Sequence, residues 1–337
     1  MLVNIISLSL FLGSILLASE DIKQLRLFVT SDVKSEIDPC GWKKKPVGGL
    51  ARKSTIVNNS RDAGFETLVL DAGNLFFKQD NIDPGISLDV AKINAEIIVD
   101  SFNQIGCDGF SPGSKDFSAG LNFLKSMEKK SSFDFLSCNI KDKKNKLLFK
   151  NYKTINVDGF NVGLIGATSI FDLEGIVVSD PFSSILNVVE KIKNECDYIV
   201  LLFSASDADY RRISAAGLGV DLIIRGNTKR KSTNGGSALI PVYSVGDRGK
   251  VIYQFDIKYS NLESPFLDVA LYENSINSTN RKIERLKNQE DSSADLITQY
   301  ENSIKNDKYI IDNSDNVLQY KSISLSKVIQ DDSMVLK

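Results

Sequence analysis

Two apolar runs, LRLFVT at 25–30 and TLVLD at 67–71, break off into residues able to hold or move charge. Ser31 and Asp32 follow the first, Gly73 and Asn74 follow the second, and Asp71 closes the second run itself. Short apolar runs bounded by such residues read as strands. In open α/β sheets chemistry gathers in the crevice beyond the carboxyl ends of the strands. Two further glycine-led segments carry polar groups, Gly113-Ser114-Lys115-Asp116 and Gly226-Asn227-Thr228-Lys229, and Ala205 follows the run YIVLLFS. Gathered carboxylates can do acid–base chemistry. Asp32, Asp71 and Asp116 are the candidates, and the alternative is that Asp71 and Asp116 cap loops and pair with lysines. The chain has no histidine. Ser114 therefore has no imidazole to activate it, and Lys115 is its sequence neighbour rather than a facing base.

The order of these motifs resembles the 5′-nucleotidase branch of the calcineurin-like metallophosphoesterases. Beyond the strands, the resemblance rests on Pro39-Cys40-Gly41, on GGLARK at 48–53, and on a late Gly-Asp-x-Gly turn at 246–249. It runs from about 25 to 257. It implies a site in which two divalent metals orient a phosphate and generate hydroxide. The family's Asp-x-His is here Asp32, Val33 and Lys34, and its Gly-Asp is Gly73 and Asn74. Its Gly-Asn-His-Glu is Gly113, Ser114, Lys115 and Asp116, and its closing Gly-His-x-His is Gly226, Asn227, Thr228 and Lys229. The histidine after the YIVLLF strand falls at Phe203, Ser204 and Ala205. Every framing glycine stands, while Asp32 is the single ligand kept. A lysine is protonated at neutral pH and offers no lone pair. The expectation is no metal and no cofactor, with Lys34, Lys115 and Lys229 converging on the old site. There they either pair internally with aspartates or hold a small anion such as phosphate.

At 337 residues, 42% apolar and 25% charged, the chain has the composition of a globular protein with a sizeable core. A net charge of −2 excludes the electrostatic footprint of a nucleic-acid binder. The one run of like charge, Lys43–Lys45, reads as a solvated loop. Residues 1–19 form an apolar segment ending in small residues, the pattern of an export signal cleaved near Ala18 or Ser19. Export to a periplasmic or extracellular space follows, with a signal anchor as the alternative. Cys40, Cys107, Cys138 and Cys196 then stand either as one disulfide or as buried thiols.

The intervening segments alternate helix and strand. Ser87 and Gly106 bracket a helix that places Val90, Ile93, Ile97, Ile98 and Phe102 on one face. Asp158-Gly159 marks a hairpin, and the stretch 238–259 reads as another, turning at Gly246–Gly249. This pattern gives an α/β fold of two packed mixed sheets flanked by helices, the four-layer sandwich that the resemblance also implies. From 266, Val269, Tyr272, Ile276, Thr279, Ile283 and Leu286 repeat in steps of three and four, a coiled-coil seam. A second helix follows the polar break at 288–293, so 263–312 reads as a helical hairpin, and 316–329 alternates like a last strand. The division is a leader at 1–19, a phosphoesterase-like unit at 20–262, the hairpin at 263–312 and a tail at 313–337. The function that fits is an exported, catalytically degraded relative acting by binding. Its alternatives are an active phosphoesterase with atypical ligands, and a scaffold that takes a protein partner through 266–312.

Overall fold

The computed structural model describes residues 23–41, 46–236, 239–289 and 293–335. The expected leader and Lys43–Lys45 lie outside these. In chain order the first half comprises β1 (Lys23–Thr30), α1 (Leu50–Asp62), β2 (Glu66–Asp71), α2 (Leu88–Ile105), β3 (Gly109–Phe110), α3 (Leu121–Lys130), β4 (Asp134–Phe135), β5 (Ile140–Asp142), β6 (Tyr152–Val157) and β7 (Phe160–Thr168). The second half comprises β8 (Ile176–Val178), α4 (Pro181–Ile192), β9 (Tyr198–Ser204), α5 (Asp207–Ala216), β10 (Leu222–Gly226), β11 (Val242–Ser244), β12 (Val251–Tyr259), β13 (Phe266–Asp268), α6 (Val269–Lys287), α7 (Ala294–Asp312) and β14 (Asn316–Ser324).

Side-chain alternation along the strands builds two sheets face to face. Leu25, Leu27 and Val29 of β1 meet Val200, Leu202 and Ile224 of β9 and β10 in one buried cluster, while Phe28 points the other way, to α1 and α2. On β9, Ile199, Leu201 and Phe203 point instead to α4 and α5. A strand buried on both faces needs a near-continuous apolar run, which is what YIVLLF supplies. The seven-stranded sheet has the order β13-β14-β12-β1-β2-β3-β4, and the five-stranded sheet β11-β10-β9-β7-β6. The result is the expected sandwich of two sheets between helical layers, with α6 and α7 paired as a hairpin.

Two local expectations are corrected. On α2, Val90, Ile93 and Ile97 are exposed, and the buried stripe is Ala91, Ala95, Ile98, Phe102 and Ile105. Both stripes have helical spacing, and the small alanines allow the closer approach. The hairpin expected at 238–259 does not form: β11 pairs in parallel with β10, whereas β12 pairs with β1 in the other sheet. The Gly246–Gly249 turn is thus a crossover between sheets. Of the two readings of the cysteines, the structure has the thiols: all four are free, Cys107 and Cys138 among them buried in the core.

The C-terminal segment is woven in. β14 lies between β12 and β13 and pairs with both. Beyond it, Arg52 on α1 binds Asp331 and the Leu325 carbonyl, and Ser54 binds Asp332. On α6, Val269, Thr279 and Ile283 are the fully buried members of the seam, and α7 buries no residue fully.

One buried acid gives the fold a pH dependence. Asp221 accepts the Ile199 amide at 2.7 Å, and burial pushes its carboxyl up to about 6. A folded value above the unfolded one of about 4 means the stabilising contribution is complete at lower pH and is lost as pH rises through about 6. Asp221→Asn can keep the Ile199 bond without the charge. We expect the wild type to lose about 1 to 2 kcal/mol relative to this variant between about pH 5 and pH 7.5, read from urea midpoints. Parallel midpoint curves for the two proteins would contradict this.

Candidate functional site

β1 and β2 run parallel in register, Thr30 opposite Asp71, so their exits lie side by side. Both exits turn through left-handed backbone: Asp32 (φ 52°), Lys34 (56°) and Ser35 (64°) after β1, and Gly73 (99°) and Asn74 (53°) after β2. Asp and Asn tolerate that region, whereas Lys and Ser pay a steric penalty there. The strain is held by a backbone ladder: the amides of Asp32, Lys34 and Ser35 donate to the carbonyls of Gly73, Asn74 and Leu75 at 2.8, 2.9 and 3.0 Å. The Arg248 amide, from the crossover turn, donates to the Asp32 carbonyl at 2.7 Å.

Asp32 is fully buried, and both carboxylate oxygens are taken. Oδ1 accepts Asn74 Nδ2 at 3.0 Å and lies 3.3 Å from Lys34 Nζ, and Oδ2 accepts the Thr228 amide at 3.3 Å. Lys34 Nζ also donates to Asp247 Oδ1 at 2.5 Å. Burial pushes the Asp32 carboxyl up, against the pull of Lys34, Asn74 and Thr228. Burial works to lower Lys34, but the charges of Asp32 and Asp247 outweigh it and raise the ammonium above its usual range. Asn74 Oδ1 accepts the Lys115 amide at 3.3 Å, and Lys115 Nζ reaches Asn227 Oδ1 at 3.2 Å.

The structure thus gathers Asp32, Lys34, Asn74, Lys115 and Asn227, with Thr228 contributing its amide. It does not bring in the other four candidates. Asp116 turns away to accept the amides of Asn74, Gly113 and Phe76 at 2.8, 2.8 and 2.9 Å; burial pushes it up to about 6. Ser114 binds Asp80 on the surface, and Ala205 is buried in the α4–α5 core. Lys229 is exposed and has no side-chain partner among the described residues, so three lysines do not converge. Asp71 caps the second exit by accepting the Gly73 amide at 3.0 Å and Thr30 Oγ1 at 2.7 Å. Thr30 in turn accepts the buried Lys53, whose ammonium stands 3.9 Å over the Phe102 ring. Burial pushes Asp71 up to about 7.

Two contributors escaped the sequence. Asp247 sits in a turn that marks itself only as a turn, and its partner is 213 residues away. Lys53 carried a signal: it lies three residues after Leu50 and four before Val57, on the buried face of α1.

A divalent metal pair needs several lone-pair donors. These residues do not fit one. The oxygens of Asp32 already accept protein donors, an ammonium stands beside them, and Asp71 and Asp116 serve backbone amides. Among the described residues no three His, Cys, Asp or Glu side chains gather to hold a metal ion.

No protein-family model matches the chain. By sequence it is 28% identical over 240 residues to 5′-nucleotidase of Bos taurus, covering 65% of this chain and 40% of that protein. The corresponding Homo sapiens 5′-nucleotidase is 28% identical over 243 residues, 66% of this chain and 41% of that one. The chain therefore spans about two fifths of the length of these relatives. By fold it is similar to a 5′-nucleotidase precursor from Thermus thermophilus, with a TM-score of 0.61, 19% identity, and coverage of 71% and 52%. It is also similar to a calcineurin-like phosphoesterase from Bacillus subtilis, with a TM-score of 0.59, 20% identity, and coverage of 71% and 86%. No helix of the described residues is long and apolar enough to cross a membrane. By sequence the chain is thus similar to 5′-nucleotidases, and by fold to 5′-nucleotidases and calcineurin-like phosphoesterases.

Proposed function

We propose that this protein is an exported member of the 5′-nucleotidase and calcineurin-like phosphoesterase family that has lost hydrolysis and acts by binding. The observation that carries the reading is the Lys34 ammonium, seated between Asp32 and Asp247 at 3.3 and 2.5 Å. A fixed protein cation there does the charge neutralisation that a bound cation would otherwise do. It cannot lower the pKa of a bound water or act as a Lewis acid on phosphate. Export is supported by the apolar segment at 1–19 and by relatives that include snake venom 5′-nucleotidases.

The expected result is that purified protein turns over neither AMP nor a generic phosphate monoester above the buffer rate, with or without added zinc or manganese. Elemental analysis should find no stoichiometric metal. Metal-dependent turnover that disappears in Asp32→Ala would overturn the reading and favour an active phosphoesterase with atypical ligands.

A further inference from the structure

On the α5 side of the five-stranded sheet, a cleft of about 620 Å³ opens between α5 and the loop after β10. It shares no lining residue with the Asp32 cluster. Four cationic side chains line it, Arg211, Arg225, Arg230 and Lys231, and no acid does. Two carboxylates touch lining residues from behind: Asp207 receives Arg225 at 2.5 Å and Arg211 at 3.6 Å, and Asp268 accepts the Gly235 amide at 3.0 Å. The Arg225 hydrogen bond, with the charges of Arg211 and Arg230, holds Asp207 below the usual carboxylate range. Asp207 thus pairs with two of the guanidiniums, while Arg230 and Lys231 add two further positive charges, in a chain whose net charge is −2.

The cluster is built rather than loose. Arg225 has a side chain only 7% exposed, donates to the Ala205 carbonyl at 3.3 Å, and stacks on the Tyr210 ring at 3.9 Å. Its fork is therefore fixed before any ligand arrives, which reduces the ordering cost of binding. Arg230 and Lys231 are exposed and have no side-chain partner among the described residues. Like charges held together without enough acid favour an anion between them. The volume lies in the range of small-molecule sites, about 300 to 1,000 Å³, well above what a bare phosphate fills.

We propose that this cleft binds a phosphate ester of about nucleotide size, its phosphate held by Arg230 and Lys231 against the fixed charge of Arg225. The assignment stands apart from the loss of hydrolysis, which concerns the Asp32 cluster alone.

Calorimetry at low salt with AMP, inorganic phosphate and adenosine tests it. AMP should bind, phosphate more weakly, and adenosine not at all, and added salt should weaken AMP binding. The double variant Arg230→Ala, Lys231→Ala removes exposed side chains and should keep its melting temperature. It should raise the Kd for AMP by about tenfold or more. Lys115→Ala, which acts at the other site, should change that Kd by less than about twofold. No heat from AMP at millimolar concentration overturns the proposal. So does AMP binding that survives the Arg230, Lys231 variant but is lost in Lys115→Ala, which would place the anion beside Asn227 instead.

Discussion

Lys34→Met should lower the stability of the folded protein by about 3 kcal/mol, the low end of what removing one partner of a buried ion pair costs. Lys34 has a side chain 9% exposed, and its partners Asp32 and Asp247 are 0% and 22% exposed. Methionine keeps the aliphatic stem, so the loss isolates the charge. Asp32 retains Asn74 and the Thr228 amide as donors, which keeps the cost from the top of the range. Two further outcomes identify the cause. Adding Asp32→Asn to Lys34→Met should recover a large part of the loss, because no unpaired carboxylate is then buried. The penalty should also shrink as pH falls through the raised pKa of Asp32, since a neutral carboxyl no longer needs the ammonium. Lys34 itself is raised, so its contribution is complete below the usual lysine range and fades only as pH climbs through its folded value. Urea midpoints of the wild type and both variants measure all of this. A Lys34→Met protein within about 0.5 kcal/mol of wild type would show that the pair is no more than surface electrostatics.

That pair also shows where reading the sequence stops. The strands were legible because each carries its own pattern: alternation in β1, a continuous apolar run in β9, turn residues at Asp158-Gly159. The caps of α2 were legible because Ser87 and Gly106 are local signals. The buried face of α2 was not, because two apolar stripes share one periodicity and only the sheet beneath selects between them. The sheet that β12 joins was not, because a glycine-bounded turn looks the same in a hairpin and in a crossover. At the site, Asp32 and Lys34 are two residues apart and announce themselves together. Asp247 reaches Lys34 only through tertiary structure, across 213 residues, whereas Asn227, which receives Lys115 across 112, was marked by the glycine before it. Lys229 failed to join because position in a motif fixes the backbone, while the direction of a long exposed side chain is set by its surroundings.

The glycines around the site call for a different explanation from the ligands, and this sets the second expectation. Gly226→Ala should destabilise the fold by about 3 kcal/mol, the upper end of the ordinary cost of overpacking. Gly226 ends β10, and a Cβ there would run into the carbonyl oxygen of Ala72, at the exit of β2 in the opposite sheet. That contact is backbone on backbone, so no rotamer change relieves it, and the two sheets would have to part where they meet. Gly113→Ala offers the graded comparison. Its Cβ would meet Asn74 Oδ1 and Ser204 Oγ, both side-chain ends that can turn aside. It should therefore cost less, about 1 to 2 kcal/mol, but should disturb the Asn74–Asp32 hydrogen bond. Chemical denaturation of both variants gives the ranking. Equal midpoints for Gly226→Ala and wild type would mean the sheets are not held at this distance by their backbones. The expected ranking gives Gly73, Gly113 and Gly226 a structural role: the glycines serve the closure of the two sheets, which is needed whether or not anything is hydrolysed between them.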